Sequence, residues 1–573
     1  MDPSSPSRPR APHLSHYRWS EGAVVYQIYP RSFQDSNGDG VGDLPGITSR
    51  LDYIKALGVN TIWLSPFYPS PMADFGYDVA DYCGVDPIFG TMADFDELLS
   101  ETHHRDMQLI IDLVPNHTSD EHAWFKASRA SREGPYSDWY VWRDAKQDEN
   151  GNRVPPNNWL DVLNGESAWE WDETRQQYYL HSFHKRQPDL NWSNHKVRHA
   201  MKKVMRFWLD KGVDGFRVDA VYWMSKDPLL TDDDPNPDYQ PGVSEPYHAL
   251  LHNNSCGWPV VYAYLSEMAD VLKEEAYLDH HRFIDRQRFM ITEAYPEHNH
   301  PIVSYMMFYV GMDPRVAAPF NFEGFELPWQ AQPWRRFLRR FHRALEQFSA
   351  ACVSSYAFGN HDKPRLASRL SREQARAAAV MLMTLPGMSF IYNGDELGMK
   401  NGVIPPEQVQ DPSTQNGGGR DPERTPMLWS AERNAGFSTA EQTWLPVNVG
   451  YETSNALSQE HDPASFLSLY RSLGTLRNES VALRHGSMRV HKLEQPEVLC
   501  YVRAKDREHL ATVINFGDTA VTVELPFAVR RSVLSTLTQE QMATADEKRL
   551  KLEPFEAVIC AVAPSEQNGG PAA

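Results

Sequence analysis

Leu109-Ile-Ile-Asp-Leu-Val-Pro-Asn-His117 reads as one buried strand that runs straight into polar residues. Its apolar positions are continuous rather than alternating, the pattern of a strand covered on both faces in a parallel sheet. Runs of the same kind stand at Val24–Tyr29, Thr61–Leu64, Gly215–Val218, Phe289–Thr292, Ala318–Phe322, Ser354–Phe358 and Ser389–Tyr392. Between them the apolar period lengthens to that of helices, as in Ile47–Leu57, Met92–His104, Arg198–Asp210, Val260–Glu275, Gln332–Gln347 and Arg372–Thr384. Eight such units predict an α/β chain closed into a (β/α)8 TIM barrel rather than an open sheet.

The alternation fails twice. Thr118–Gln187, rich in Pro, Asn, Trp and Asp, is far too long for a βα loop and predicts an inserted subdomain after the third strand. Beyond Leu483 the pattern turns to short alternating strands at Met488–Val490, Val498–Val502, Leu510–Asn515, Val521–Leu525 and Ala557–Ala561. That predicts a C-terminal antiparallel β-sandwich over 484–563. The barrel is expected over 19–117 and 188–483, the insert over 118–187. Residues 1–18 and 564–573 are expected to be disordered.

Composition narrows the class. The 573 residues are 41% hydrophobic and 23% charged, as in soluble globular proteins. No run of about 18 apolar residues is present, so no membrane-spanning helix is expected. The N-terminus lacks an apolar core after its basic residues, which excludes a secretory signal. Five scattered cysteines fit reduced thiols and a cytoplasmic protein. A formal charge of −20 disfavours nucleic acid and anionic membrane as partners. A neutral small substrate and a monomer or homodimer are expected.

Barrel enzymes carry their chemistry at the carboxyl ends of the strands. Here the third strand ends in Asp112, Asn116 and His117, and the fourth reads Gly215-Phe-Arg217-Val-Asp219. The fifth ends in Glu293 and the seventh in Asn360-His361-Asp362. A single acid at a strand end is ordinarily a loop cap; four strands ending this way are not explained by capping. Arg217 lies on the same strand face as Asp219 and is expected to keep it ionised. Glu293, after an apolar strand, is expected to have a raised pKa. One carboxylate that attacks and one carboxylic acid that protonates are what retaining glycoside hydrolysis needs, about 5–5.5 Å apart.

DLVPNH (112–117), GFRVDAV (215–221), TEAY (292–295) and NHD (360–362) resemble the sequence blocks of the α-amylase superfamily, glycoside hydrolase family 13. QPDLNW (187–192), VVYQIYPRSFQDSNGDGVGDLPGI (24–47), WLSPFYPSPMADFGYDVADY (63–82), PPNNW (155–159) and GRDPERTPMLW (419–429) are similar to its bacterial α-glucosidase and oligo-1,6-glucosidase branch. The resemblance covers residues 19–563. It implies Asp219 as nucleophile, Glu293 as acid/base and Asp362 as transition-state stabiliser, with His117, Arg217 and His361 around the reacting glucose. It also implies that Asp74 and Arg420 grip the far hydroxyl of a terminal glucose above a Tyr77 platform, so that attack is exo. Two positions depart from the pattern. Thr292 stands where Gly usually precedes the acid/base, and Ala220 follows the nucleophile where Val or Thr tracks linkage preference. Linkage is therefore open.

Asp35-Ser-Asn37-Gly-Asp39-Gly-Val41-Gly-Asp43 spaces hard oxygen donors along a glycine-rich loop, which suits structural Ca²⁺ or Mg²⁺. A metal-free loop of Asx turns is the alternative. Gly46 rules out an EF-hand, and three Asp with no Gly-Lys-Ser/Thr rule out a phosphate loop. His122, His248 and His252 read as surface or core histidines, and nothing points to an organic cofactor. Gln415–Gly419 reads as a flexible, gating loop that carries Arg420. The expected activity is exo-acting, retaining α-glucoside hydrolysis with transfer. A trehalose synthase or sucrose isomerase of the same fold is the second expectation. A non-catalytic transporter-partner homologue falls behind, because Asp219, Glu293 and Asp362 are all present.

Overall fold

The computed structural model describes residues 18–278, 287–295, 300–413, 419–537, 545–546 and 548–563. Eight parallel strands form one sheet: β1 (Val24–Ile28), β2 (Thr61–Leu64), β3 (Gln108–Leu113), β4 (Gly215–Val218), β5 (Phe289–Thr292), β6 (Ala317–Pro319), β7 (Ser355–Ala357) and β8 (Met388–Tyr392). Their order is β6-β5-β4-β3-β2-β1-β8-β7. The β1–β8 pairing, with Val24 opposite Ser389, brings the chain's first and last barrel strands together. Every residue of β1, β2, β4, β5, β7 and β8 is buried, which explains their unbroken apolar character.

The two end strands of the ladder, β6 and β7, meet differently. The Ser355 hydroxyl donates to Pro319 O at 2.8 Å and accepts the Asn321 amide at 3.1 Å. One side chain thus stitches the wall where the backbone ladder stops. Proline accounts for the early end of β6, which the sequence pattern extends to Phe322: Pro319 offers no N–H to a ladder.

The other boundary corrections are local. Ile47–Leu57 is two short helices, Leu44–Ser49 and Leu51–Ala56, with Arg50 between them at φ −108, ψ 6. Arg50 turns back to the Gln34 side chain at 2.6 and 2.8 Å. The first helix is capped by Asp43, which accepts from Gly46 N. In the second half of the chain, helix Ala331–Phe348 packs its Trp334, Phe337, Leu338 and Phe341 inward.

Segment 118–187 carries a three-stranded sheet (Trp142–Arg143, Gln177–Leu180, Trp169–Asp172) over its own small core of Trp159, Ala168, Trp169, Tyr178 and Leu180. After the barrel come a five-stranded antiparallel sheet and a three-stranded one, packed on a separate apolar cluster. Strand Val529–Ser535 was not legible because two register shifts break its alternation, and Arg549–Leu552 alternates over only four residues. No helix among the described residues is long and apolar enough to cross a membrane. The expectations for 1–17 and 564–573 lie outside the described residues.

Candidate active site

One guanidinium organises the centre. Arg217, fully buried on β4, donates from Nη1 to Asp112 Oδ1 at 2.7 Å and to Asp219 Oδ1, and from Nη2 reaches Glu293 Oε2 at 2.9 Å. Asp112 is held further by Trp63 Nε1 at 2.9 Å. Three strands, β3, β4 and β5, therefore deliver three carboxylates to a single cation. The count is what matters: one positive charge cannot offset three negative ones in a buried pocket, so a proton is retained.

This corrects the expectation that Arg217 simply keeps Asp219 ionised. Burial, the charges of Glu293 and Asp112, and a hydrogen bond with Glu293 push the Asp219 carboxyl well above the usual range, against the pull of Arg217. Asp219 and Glu293 thus meet at the same guanidinium, one on each of its terminal nitrogens. Burial also pushes Asp112 up, to about 6, with Arg217 opposing.

Glu293 has a donor on each oxygen. Oε2 accepts the Ala220 amide at 2.9 Å, and Oε1 accepts the Tyr295 hydroxyl at 3.0 Å. The first bond depends on an unusual backbone. Ala220 is left-handed (φ 48, ψ 34) and opens a short 3-10 helix, Val221–Met224. For a residue with a Cβ that conformation costs roughly 1–2 kcal/mol, and here it turns the amide away from the sheet towards Glu293.

A second cluster closes the far side. Arg420 Nη2 meets Asp74 Oδ1 at 2.5 Å and Asp411 Oδ1 at 2.7 Å, and Nη1 meets Asp362 Oδ1 at 3.3 Å. Arg424 adds a contact to Asp362 at 2.9 Å and holds His361 O at 2.8 Å. Gln187 links Asp74 Oδ2 (3.0 Å) to His117 Nε2 (3.2 Å). Although burial favours its neutral form, Asp362 is held well below the usual carboxylate range by its cationic surroundings. The two arginines supply that charge, since burial pushes His361 down to about 3 and keeps it neutral.

His361 stacks against Tyr77 (ring centroids 5.3 Å, 5°) and Tyr29 (5.6 Å). Its Nδ1 meets Gln27 Nε2 and its Nε2 meets Tyr77 OH, each at 2.7 Å. Burial lowers the His117 pKa too, so both histidines are neutral hydrogen-bonding groups.

The ten residues singled out for catalysis and substrate thus form one connected network. Sequence reading passed over Asp411, Arg424, Gln187 and Tyr295 as site residues. Arg424 and Tyr295 lie inside the quoted motifs, four and two residues from recognised positions, and Gln187 opens the quoted QPDLNW block. Asp411 sits in irregular chain and carried no signal. Gln415–Gly418 lie outside the described residues.

The Asp35–Asp43 loop is closed by its own turns: Asp35 accepts Asn37, Gly38 and Gly40 amides at 2.7–3.0 Å, Asn37 accepts Asp39 N and Asp39 accepts Val41 N, both at 2.9 Å. Only glycine fits at 40, where φ is +92 and a Cβ would lie 2.3 Å from Gln442 O. Among the described residues no three acidic, His or Cys side chains converge as metal ligands. The donors are nevertheless all hard oxygens, and burial and the neighbouring Asp35 charge push Asp43 up, so the loop's chemistry fits a cation held by a mixed set. His122 caps helix Ala123–Arg129, and His252 stacks on Tyr247 at 3.7 Å.

Residues 27–486 match the alpha amylase catalytic-domain family and residues 488–559 the maltogenic amylase C-terminal domain. The oligo-1,6-glucosidase of Halalkalibacterium halodurans is 39% identical over 575 residues, covering 95% of this chain and 98% of its own. A solved alpha-glucosyl transfer enzyme superposes with a TM-score of 0.85 at 36% identity, covering 96% of this chain and all of its own. The trehalulose synthase of Pseudomonas mesoacidophila superposes at 0.81 with 34% identity, covering 97% and 100%.

Proposed function

Because the chain belongs to the alpha-amylase family and is a glycoside hydrolase of oligosaccharides or glucosides, we propose that it is an exo-acting, retaining α-glucosidase working through Asp219 and Glu293. The observation that carries this reading is the facing pair on one guanidinium. Two carboxylates on one cation suit a pair in which one attacks the sugar and the other protonates the leaving group.

In this reading Glu293 enters as the protonated partner and Asp219 as the ionised one. Asp219 forms an ester bond to the anomeric carbon as the glycosidic C–O bond breaks, and Glu293 passes its proton to the departing oxygen. Water then gives a proton back to Glu293 and attacks the same carbon, freeing Asp219. A sugar hydroxyl in place of that water gives transfer. Asp362, kept ionised by Arg420 and Arg424, faces the positive charge that develops on the sugar. The Asp74–Arg420–Asp411 cluster walls off the pocket beyond one glucose, which supports exo attack. His117, Tyr77 and His361 line the same pocket.

Glu293→Gln tests the division of labour. Turnover of maltose, whose leaving group needs a proton, falls about 10²–10⁴-fold, the usual contribution of a general acid. p-Nitrophenyl α-glucoside still glucosylates Asp219. Near-normal maltose hydrolysis by this variant sinks the assignment. Isomerisation is the second reading, favoured by the likeness to a trehalulose synthase. Chromatography of products from sucrose and maltose separates the two: free glucose supports hydrolysis, a rearranged disaccharide the isomerase.

The same reading makes the Asp35–Asp43 loop a structural seat for Ca²⁺ or Mg²⁺, with Asp35, Asn37, Asp39, Asp43 and the Val41 carbonyl as donors. At a hundredfold excess over Kd such an ion adds about 2.7 kcal/mol. Adding EDTA should therefore lower Tm by a few degrees, reversibly, and a Tm indifferent to chelator and to added ion removes the site. Five unpaired cysteines support a reducing, cytoplasmic compartment.

A further inference from the structure

Glu293 Oε2 is occupied by two groups that can only donate, the Ala220 amide at 2.9 Å and Arg217 Nη2 at 2.9 Å. Neither can accept a proton's hydrogen bond. Asp219, the other acceptor beside Glu293, is the attacking group, and Oε1 has a neighbour of its own. The Tyr295 hydroxyl, 3.0 Å away, both donates and accepts. A carboxyl with one oxygen committed to fixed donors carries its proton on the other.

Building on the acid/base role of Glu293, we infer that Oε1 is the oxygen that delivers the proton and that Tyr295 is a positioning residue for it. Its hydroxyl swings from accepting the acid's proton to donating to the carboxylate. The phenol is well placed to hold that geometry. Its ring packs between Trp223 (5.8 Å, edge-on) and Phe322 (5.3 Å). The left-handed Ala220 peptide fixes the rotation of the carboxyl from the opposite side. Ala220 and Tyr295 thus act together, one from each end of the carboxyl group, and neither contributes a charge.

The charged groups around Glu293 are Arg217 on β4, Asp219 just after it and Asp112 on β3. Tyr295→Phe alters none of these and keeps the ring contacts. It removes the partner of Oε1, so the loss it causes scales with the protonation the leaving group needs. At neutral pH, kcat/KM for maltose falls about tenfold, a part of what a general acid supplies. For p-nitrophenyl α-glucoside it changes less than about twofold, because that leaving group needs little protonation.

The experiment measures kcat and KM of wild type and Tyr295→Phe on both substrates, with Tm as the check on folding and Glu293→Gln beside them. Equal losses on the two substrates, or no loss on maltose, overturn the inference. If Glu293→Gln still turns over maltose normally, it is the underlying acid/base assignment that fails. An inactive Glu293→Gln beside a Tyr295→Phe that treats the two substrates alike rejects the Tyr295 role alone.

Discussion

Asp219→Asn abolishes turnover on every glucoside, by about 10⁴–10⁶-fold, the range seen when a nucleophile is removed. Unlike Glu293→Gln, it spares no class of leaving group, since an amide forms no ester with the anomeric carbon. The same change should make the protein more stable. Asp112, Asp219 and Glu293 crowd one guanidinium, and replacing one of them by a neutral group of equal size removes like-charge repulsion while keeping an acceptor for Arg217. The expected result is a dead enzyme with a raised Tm, read by calorimetry beside kinetics. Retained activity on p-nitrophenyl α-glucoside, or a Tm lowered by several degrees, contradicts the arrangement.

Arg420→Leu is the second large effect. It leaves Asp74 and Asp411 buried without the cation that holds them, and Asp362 with Arg424 alone. Breaking a buried pair from one side costs about 3–5 kcal/mol of stability, read as a fall in Tm; kcat/KM for maltose falls by about 10²–10³-fold, the scale of losing one electrostatic contact in the transition state. The pH dependence carries a sign. Asp362 works ionised, and its pKa is held down partly by Arg420. Losing that charge raises the pKa, so activity disappears at a higher pH on acidification. An acidic limb that does not move separates Arg420 from Asp362.

The barrel was legible because buried parallel strands leave continuous apolar runs, as at Leu109–Ile111 and Phe390–Tyr392. The proposed catalytic trio was legible because Asp219 and Glu293 each follow such a strand directly and Asp362 comes a short loop after one. What escaped notice depends on tertiary approach. Asp411 comes to Arg420 across an irregular stretch with no period, and nothing local marks it. The sharing of Arg217 among three acids was missed for a related reason: strand alternation predicts that Arg217 and Asp219 share a face, but says nothing of what β3 and β5 bring alongside. Val529–Ser535 escaped because two register shifts along it destroy the period of two.

The Ser355 stitch between β6 and β7 has a mechanical meaning for the pocket. Elsewhere the wall resists separation through a ladder of amides; here it holds by a hydroxyl of one residue. The catalytic groups fall on either side of that line, with Glu293 one strand from β6 and Asp362 just beyond β7. The one break in the wall's backbone pairing thus runs between Glu293 and Asp362, with Asp219, just past β4, on the Glu293 side of it.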